Sequence, residues 1–157
     1  MTSTDTDQKQ NEQAHRDEAI ATALNQLGAA LKATVASGKQ RAWAGAIGDA
    51  LTSLDKPLRE SLTDMHDELF RAIIEQDDGL LRRVEQLKEA DAEILVSLDE
   101  LQRRTEIVIH NDNQQIMADA TKLTTDGETF LARIRVHRDE VTTCLQEAFN
   151  RDRGIVD

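Results

Sequence analysis

The stretch LFRAIIEQDDGLLRRVEQLKEADAEIL, residues 69–95, holds two helix-periodic segments joined by a turn. Leu69 and Ile73 close one apolar seam, and Leu80, Val84, Leu87 and Ile94 open another. Steps of three and four residues are those of a helix buried on one side. Between the seams, Asp77-Asp78-Gly79 supplies turn formers. So short a connection brings the chain back beside itself, and the stretch predicts a helical hairpin.

The same spacing continues in both directions. Upstream, Trp43, Ile47, Leu51, Leu54, Leu58 and Leu62 extend the seam that ends at Leu69 and Ile73. Pro57 lacks a backbone donor, so a kink or brief break is expected there. A first helix carries Ile20, Leu24, Leu27, Leu31 and Val35, with Thr4 and Asp5 as caps and Ser37-Gly38 as its end. Downstream, the third helix continues through Leu98, Leu101 and Val108 and ends within IVIHNDNQQ, residues 107–115. A fourth helix buries Leu123, Phe130, Ile134, Val141, Leu145 and Ala148. Long amphipathic helices with short turns predict an all-α, up-down-up-down antiparallel four-helix bundle. Residues 1–12 are read as a polar, partly frayed lead and residues 13–157 as the bundle domain.

Composition narrows the function. The chain of 157 residues has one proline, no tyrosine and a net charge of −11. That charge argues against nucleic acid, because no Lys/Arg stripe is present to neutralise phosphates. It also disfavours an anionic membrane surface, and no stretch is apolar enough to span a bilayer. Cys144 is the only cysteine, which excludes an intrachain disulfide and fits a small buried apolar residue. The start, MTSTDTDQKQNEQ, has neither the basic end nor the apolar run of a signal peptide, so a cytoplasmic protein is expected. Gly-rich phosphate loops, CxxC pairs and nucleophile elbows are missing from the sequence.

The informative residues interrupt the seams. Three before Ile20, Asp17 falls on the inner face of the first helix. Asp91 lies between Leu87 and Ile94, and His137 between Ile134 and Val141, both facing inward. On the second helix the seam passes through Ser61 and then Met65. Counted from the expected helix ends at roughly 1.5 Å per residue, Ser61, Asp91 and His137 share a depth of about 20 Å, and Asp17 matches them if the first helix begins near Asp5. A lone buried carboxylate or imidazole is costly, so these groups should meet each other, a water or an ion. An Asp–His contact with a bridging water is one outcome, and a metal held by Asp17, Asp91 and His137 is the other. The former is favoured, because one imidazole and two carboxylates are a poor set for iron or zinc. His66 and Glu68 lie off the expected seam, in a solvated or boundary role rather than a ligating one, and His15 and His110 fall in or near polar, frayed segments. Glu85, Glu89 and Glu93 read as a solvated face, with Arg82 and Lys88 as counter-charges.

From Trp43 to Leu101 the chain resembles hemerythrin-like (HHE) domains, most clearly over residues 69–95. The ending HRDEVTTCLQEAFNRDRG, residues 137–154, resembles the last helix of that family, in which a ligand histidine precedes a run like LLQEA and a closing Asp-x-Gly. The resemblance implies a four-helix bundle holding a di-iron or other metal centre. Its ligands would be single histidines on helices one and three and a His-x-x-x-Glu pair on helices two and four. Carried over, His137 matches the fourth-helix histidine, but its glutamate partner falls on Val141. The third-helix histidine falls on Asp91, the second-helix pair on Ser61 and Met65, and the first-helix histidine on Asp17.

The leading expectation is therefore a hemerythrin-like bundle that has lost its di-iron centre. It would be a binding or scaffold protein rather than an enzyme, with a protein partner or itself as the partner. No cofactor is expected, although the resemblance admits iron or another divalent cation. The runner-up is a sensor or storage protein with a mononuclear site built on His137, Asp91 and Asp17.

Overall fold

A computed structural model describes residues 3–33, 35–36, 38–110 and 114–154, with side chains described to residue 150. The elements are α1 (Ser3–Lys32), α2 (Gln40–Glu60), a π-helical turn (Ser61–Met65), α3 (His66–Gln76), a 3-10 turn (Asp78–Leu80), α4 (Leu81–His110) and α5 (Ile116–Gly154). Among the described residues there is no strand. Since α2, the π turn and α3 follow one another without a break, four helical arms pack together.

Most expected ends are close to the observed ones. The turn between α3 and α4 is built by Asp77, whose extended backbone stops α3 and whose carboxylate accepts the Gly79 N–H at 3.0 Å. Gly38 takes a φ of 84°, the left-handed region that suits glycine, between α1 and α2. Ser37, residues 1–2 and residues 111–113 of the expected last break lie outside the described residues. One expectation about α1 needs correction. The helix ends at Lys32, so Val35 packs on the core from the connection rather than from the helix. Its amino-terminal turns are helical from Ser3, although residues 3–15 are all exposed.

Of the kink or brief break expected at Pro57, the break is not found there. Helix α2 runs through Pro57, and the irregularity comes just after it, where the His66 N–H reaches the Ser61 carbonyl five residues back. A turn closed by such a bond is wider than an α turn, so over Ser61–Met65 the helical phase slips by roughly one residue. The inward line therefore passes from Leu58 and Leu62 to His66, Phe70 and Ile73. Leu69, expected inside, is only partly buried, and Phe70 takes its place fully buried. The Thr63 hydroxyl, within the wide turn, donates to the Arg59 carbonyl at 2.6 Å.

The buried apolar residues form two clusters. The larger joins Ile20, Leu27 and Leu31 of α1 to residues of α2, α4 and α5, among them Leu54, Leu98 and Phe130. Trp43 anchors its edge by donating to the Ala30 carbonyl at 2.8 Å. The smaller holds Phe70, Ile73, Leu80, Val84, Leu87, Val141, Cys144 and Ala148, with no contribution from α1. One end of the bundle is thus a four-arm core and the other a three-arm core. Cys144 is fully buried there, as expected, and burial pushes its thiol above the ordinary range.

Two tests follow from this packing. Deleting the exposed Thr63 should convert the wide turn into regular α-helix while His66 and Phe70 keep their inward phase, so the protein stays folded. Deleting the equally exposed Arg71 should turn Ile73 off the core and abolish cooperative thermal unfolding, as read by circular dichroism. For Cys144, a folded-state value above the unfolded one means its stabilising contribution is complete below the ordinary thiol range. That contribution is lost as pH rises through the folded value. A thiol reagent at pH 8 should therefore label Cys144 only as fast as the protein unfolds, and immediate labelling would contradict its burial.

Candidate metal centre

Between the two apolar clusters lies one polar layer. His66 follows Leu62 of the larger cluster and precedes Phe70 of the smaller. Asp91 stands between Leu87 and Ile94, and His137 between Ile134 and Val141, which divide the same way. Each arm except α1 thus delivers one polar side chain to the level where the core changes from four arms to three.

The three side chains meet. His66 Nδ1 lies 2.9 Å from Asp91 Oδ1 and 3.0 Å from Oδ2, and His137 Nε2 lies 2.5 Å from Oδ1. A carboxylate only accepts, so each imidazole donates its N–H toward Asp91. The side chains of His66, Asp91 and His137 are 13%, 8% and 4% exposed, so water competes weakly for these bonds. The His66 ring also leans on Phe70 with centroids 5.0 Å apart, and on His137 at 5.8 Å. His137 Nδ1 is fully buried and has no hydrogen-bond partner among the described residues. If Nε2 carries the proton given to Asp91, Nδ1 presents a bare lone pair, the cheaper of the two ring states to leave unmatched.

Next to the layer is a cavity of about 570 Å³. His66 and His137 line it from inside, and Glu12, Arg16 and Asp17 of α1 form part of its outer wall.

The expected site residues thus separate. Asp91 and His137 are buried and in contact, as their places on the seams required. Asp17 is not in the layer. It is exposed on the cavity wall, because Ile20 is the first buried residue of α1 and the helix face opens one turn earlier. Ser61 and Met65 line the cavity without joining the three-residue group. His66, assigned to the boundary from sequence, belongs to the layer, because the π turn rotates it inward. Its signal was available in the run Leu58, Leu62, His66, Phe70, Ile73, which places the larger aromatic Phe70 inside instead of Leu69.

Donor atoms from His66, Asp91 and His137 all lie within 4.8 Å of one another. First-row cations bind nitrogen and oxygen at about 2.0–2.2 Å, which spaces neighbouring donors roughly 3–3.5 Å apart. Taking a cation would therefore ask the Asp91–imidazole contacts, at 2.5–3.0 Å, to widen by up to about an ångström, and the two ring nitrogens facing Asp91 to give up the protons they donate. Two neutral imidazoles and one carboxylate suit a single such cation. They do not suit a dinuclear centre, since Asp91 is the only carboxylate in the group and no donor is left to bridge or hold a second ion.

Removing one member of this layer leaves the others buried and short of a partner. Replacing His137 by Ala should cost about 2–4 kcal/mol in urea unfolding, the range for breaking a buried polar pair. Replacing His66, Asp91 and His137 together by Leu should restore much of that loss, since apolar packing can substitute for a buried ionic contact. A triple variant less stable than His137→Ala would show that the layer is worth more than its packing volume.

No protein-family model matches the chain, and neither a curated protein nor a solved structure does, so its functional reading is carried by its own residues.

Proposed function

We propose that this is a hemerythrin-like bundle whose metal centre is reduced to one cation site, used to sense or store a first-row divalent ion and not to catalyse a reaction. The carrying observation is the convergence of His66 Nδ1, His137 Nε2 and the Asp91 carboxylate in a buried layer beside a cavity. His66 replaces Asp17 in the set expected from sequence, which changes the donors from one imidazole and two carboxylates to two imidazoles and one carboxylate. That exchange favours zinc, iron(II) and their neighbours over calcium or magnesium, which prefer all-oxygen shells. The up-down-up-down antiparallel arrangement is part of this reading. It is supported by pairs that climb one arm while descending the next: Ala30 with Trp43 and Arg16 with Glu60, then Asp55 with Gln102 and His66 with Asp91. A cytoplasmic location fits the single cysteine and the absence, among the described residues, of a helix able to cross a membrane.

One observation favours a second reading. Histidines that ligate metals usually give their other ring nitrogen to an acceptor, and His137 Nδ1 has none. A cation there would bind less tightly than in a fully supported site. In the second reading the layer holds no ion, only fixes the register of the arms, and the bundle is a scaffold for a protein partner or another copy of itself.

Cation binding distinguishes them. If the site is real, zinc, iron(II) or manganese at about a hundred times its Kd should stabilise the wild type by about 2.7 kcal/mol, which for a chain of this size raises the Tm by roughly 5–10 °C. His66→Ala and His137→Ala should each lose that rise. Elemental analysis should give one cation per chain, without the charge-transfer absorption of an oxo-bridged di-iron centre. Two irons per chain would overturn the single-cation reading, and an unmoved Tm with every ion would favour the scaffold.

A further inference from the structure

A buried donor set needs a way in, and one arm is built differently along its length. From Ile20 onward, α1 buries Ile20, Ala23, Leu27 and Leu31 in the larger core. Before Ile20 it buries nothing: residues 3–19 are exposed throughout except for the half-buried Arg16. The smaller core beneath that half is closed by the other arms alone. Five residues of the half, Lys9, Glu12, Gln13, Arg16 and Asp17, nevertheless form a wall of the cavity that His66 and His137 line. Among the described residues, the one side-chain hydrogen bond or ion pair tying residues 3–19 to another arm joins Arg16 Nε to Glu60 Oε2 at 3.0 Å.

From these facts we infer that the amino-terminal half of α1 is a gate over the cavity, latched by Arg16–Glu60, whose opening admits and releases the cation. The inference rests on the cation-site reading above. A helix about this long is marginal in water without an apolar face, so its cost of opening is set by local contacts and not by the stability of the whole bundle. The latch is half-exposed, and an ion pair of that kind is weak and sensitive to salt. The cavity lining mixes the carboxylates of Glu12, Asp17, Asp64 and Glu68 with Lys9, Arg16 and Arg138, so freeing Arg16 from its latch moves one of the three cations away from the opening. Beyond Ile20 the helix is held by its core residues, which places the hinge close to Asp17.

The test uses the intact chain, Glu60 being outside both the cavity lining and the donor set. Stopped-flow uptake of cobalt(II), followed by the absorption of the bound ion, is compared in wild type, Glu60→Gln and Glu60→Lys. Release into excess chelator is measured for the same proteins. A gate predicts that both variants take up and release cobalt about two- to five-fold faster with little change in Kd, the scale expected for losing one partly exposed ion pair. Added salt should speed release from the wild type, whose latch it screens, and leave release from Glu60→Gln unmoved. Hydrogen exchange in the metal-free wild type should show amides of residues 3–16 exchanging well before those of 20–32. Cobalt binding with rates unchanged in both variants, or equal protection along α1, would overturn the gate and leave the cation site standing. A wild type that binds no cobalt would remove the site and the gate with it.

Discussion

The contact on which the arrangement of arms depends is the Asp91 carboxylate shared by two imidazoles. A carboxylate this deeply buried is costly unless its oxygens are matched. The matching groups come from α3 and α5, so three arms have to reach the same level at the same rotation. Slipping α4 by one turn would bring an apolar side chain such as Leu87 or Ile94 opposite the imidazoles and leave the charge without partners. Apolar layers above and below tolerate such slips much better, because one leucine is nearly as good a neighbour as another. The polar layer gives little net stability, but it sets the register that the two cores then fill.

The same layer marks where the bundle changes character. On one side four arms contribute to the core, and on the other α1 withdraws and its side chains become polar. The cavity lies at this transition because the α1 face near Asp17 has no apolar side chain to push between the other arms. A leucine at that position would fill part of the space and extend the four-arm core toward Phe70. The exposed polar half and the open space beside the histidines thus share one origin in the sequence of α1.

Most of the fold was legible because amphipathic periodicity survives without knowledge of neighbours. The seams through Leu27, Leu54, Leu98 and Phe130 run as their spacing requires, and Asp77-Asp78-Gly79 makes the turn. Asp91 and His137 were legible for the same reason, each being flanked on its own helix by residues that had to be inside. His66 was not, because a π turn alters the period by which an inward position is counted. Pro57 drew attention to the right arm but the wrong residue, since α2 passes through it and widens only at Ser61. Asp17 failed for another reason. Its phase on α1 is inward, but whether an inward phase means burial depends on what the other arms place opposite it. Here they place a cavity.

The donor set also constrains which ion the proposed site could prefer. Two nitrogen donors raise affinity along the first-row series, so by affinity alone copper(II) would be taken before zinc, and zinc before iron(II) or manganese. Geometry has to work against that order. The three donors come from three different arms whose spacing is set by cores on both sides, so they cannot flatten into the tetragonal plane copper(II) favours without separating the arms. A compact set with room beside it suits ions content with tetrahedral or octahedral surroundings, and the cavity leaves space for water at the remaining positions. The bare Nδ1 of His137 lowers affinity for every ion alike, because ligation through Nε2 would force the proton onto a buried nitrogen that has nothing to donate to. Weak, reversible binding of one ion is the behaviour such a set supports, and it suits a sensor whose occupancy has to follow supply better than a store meant to retain its load.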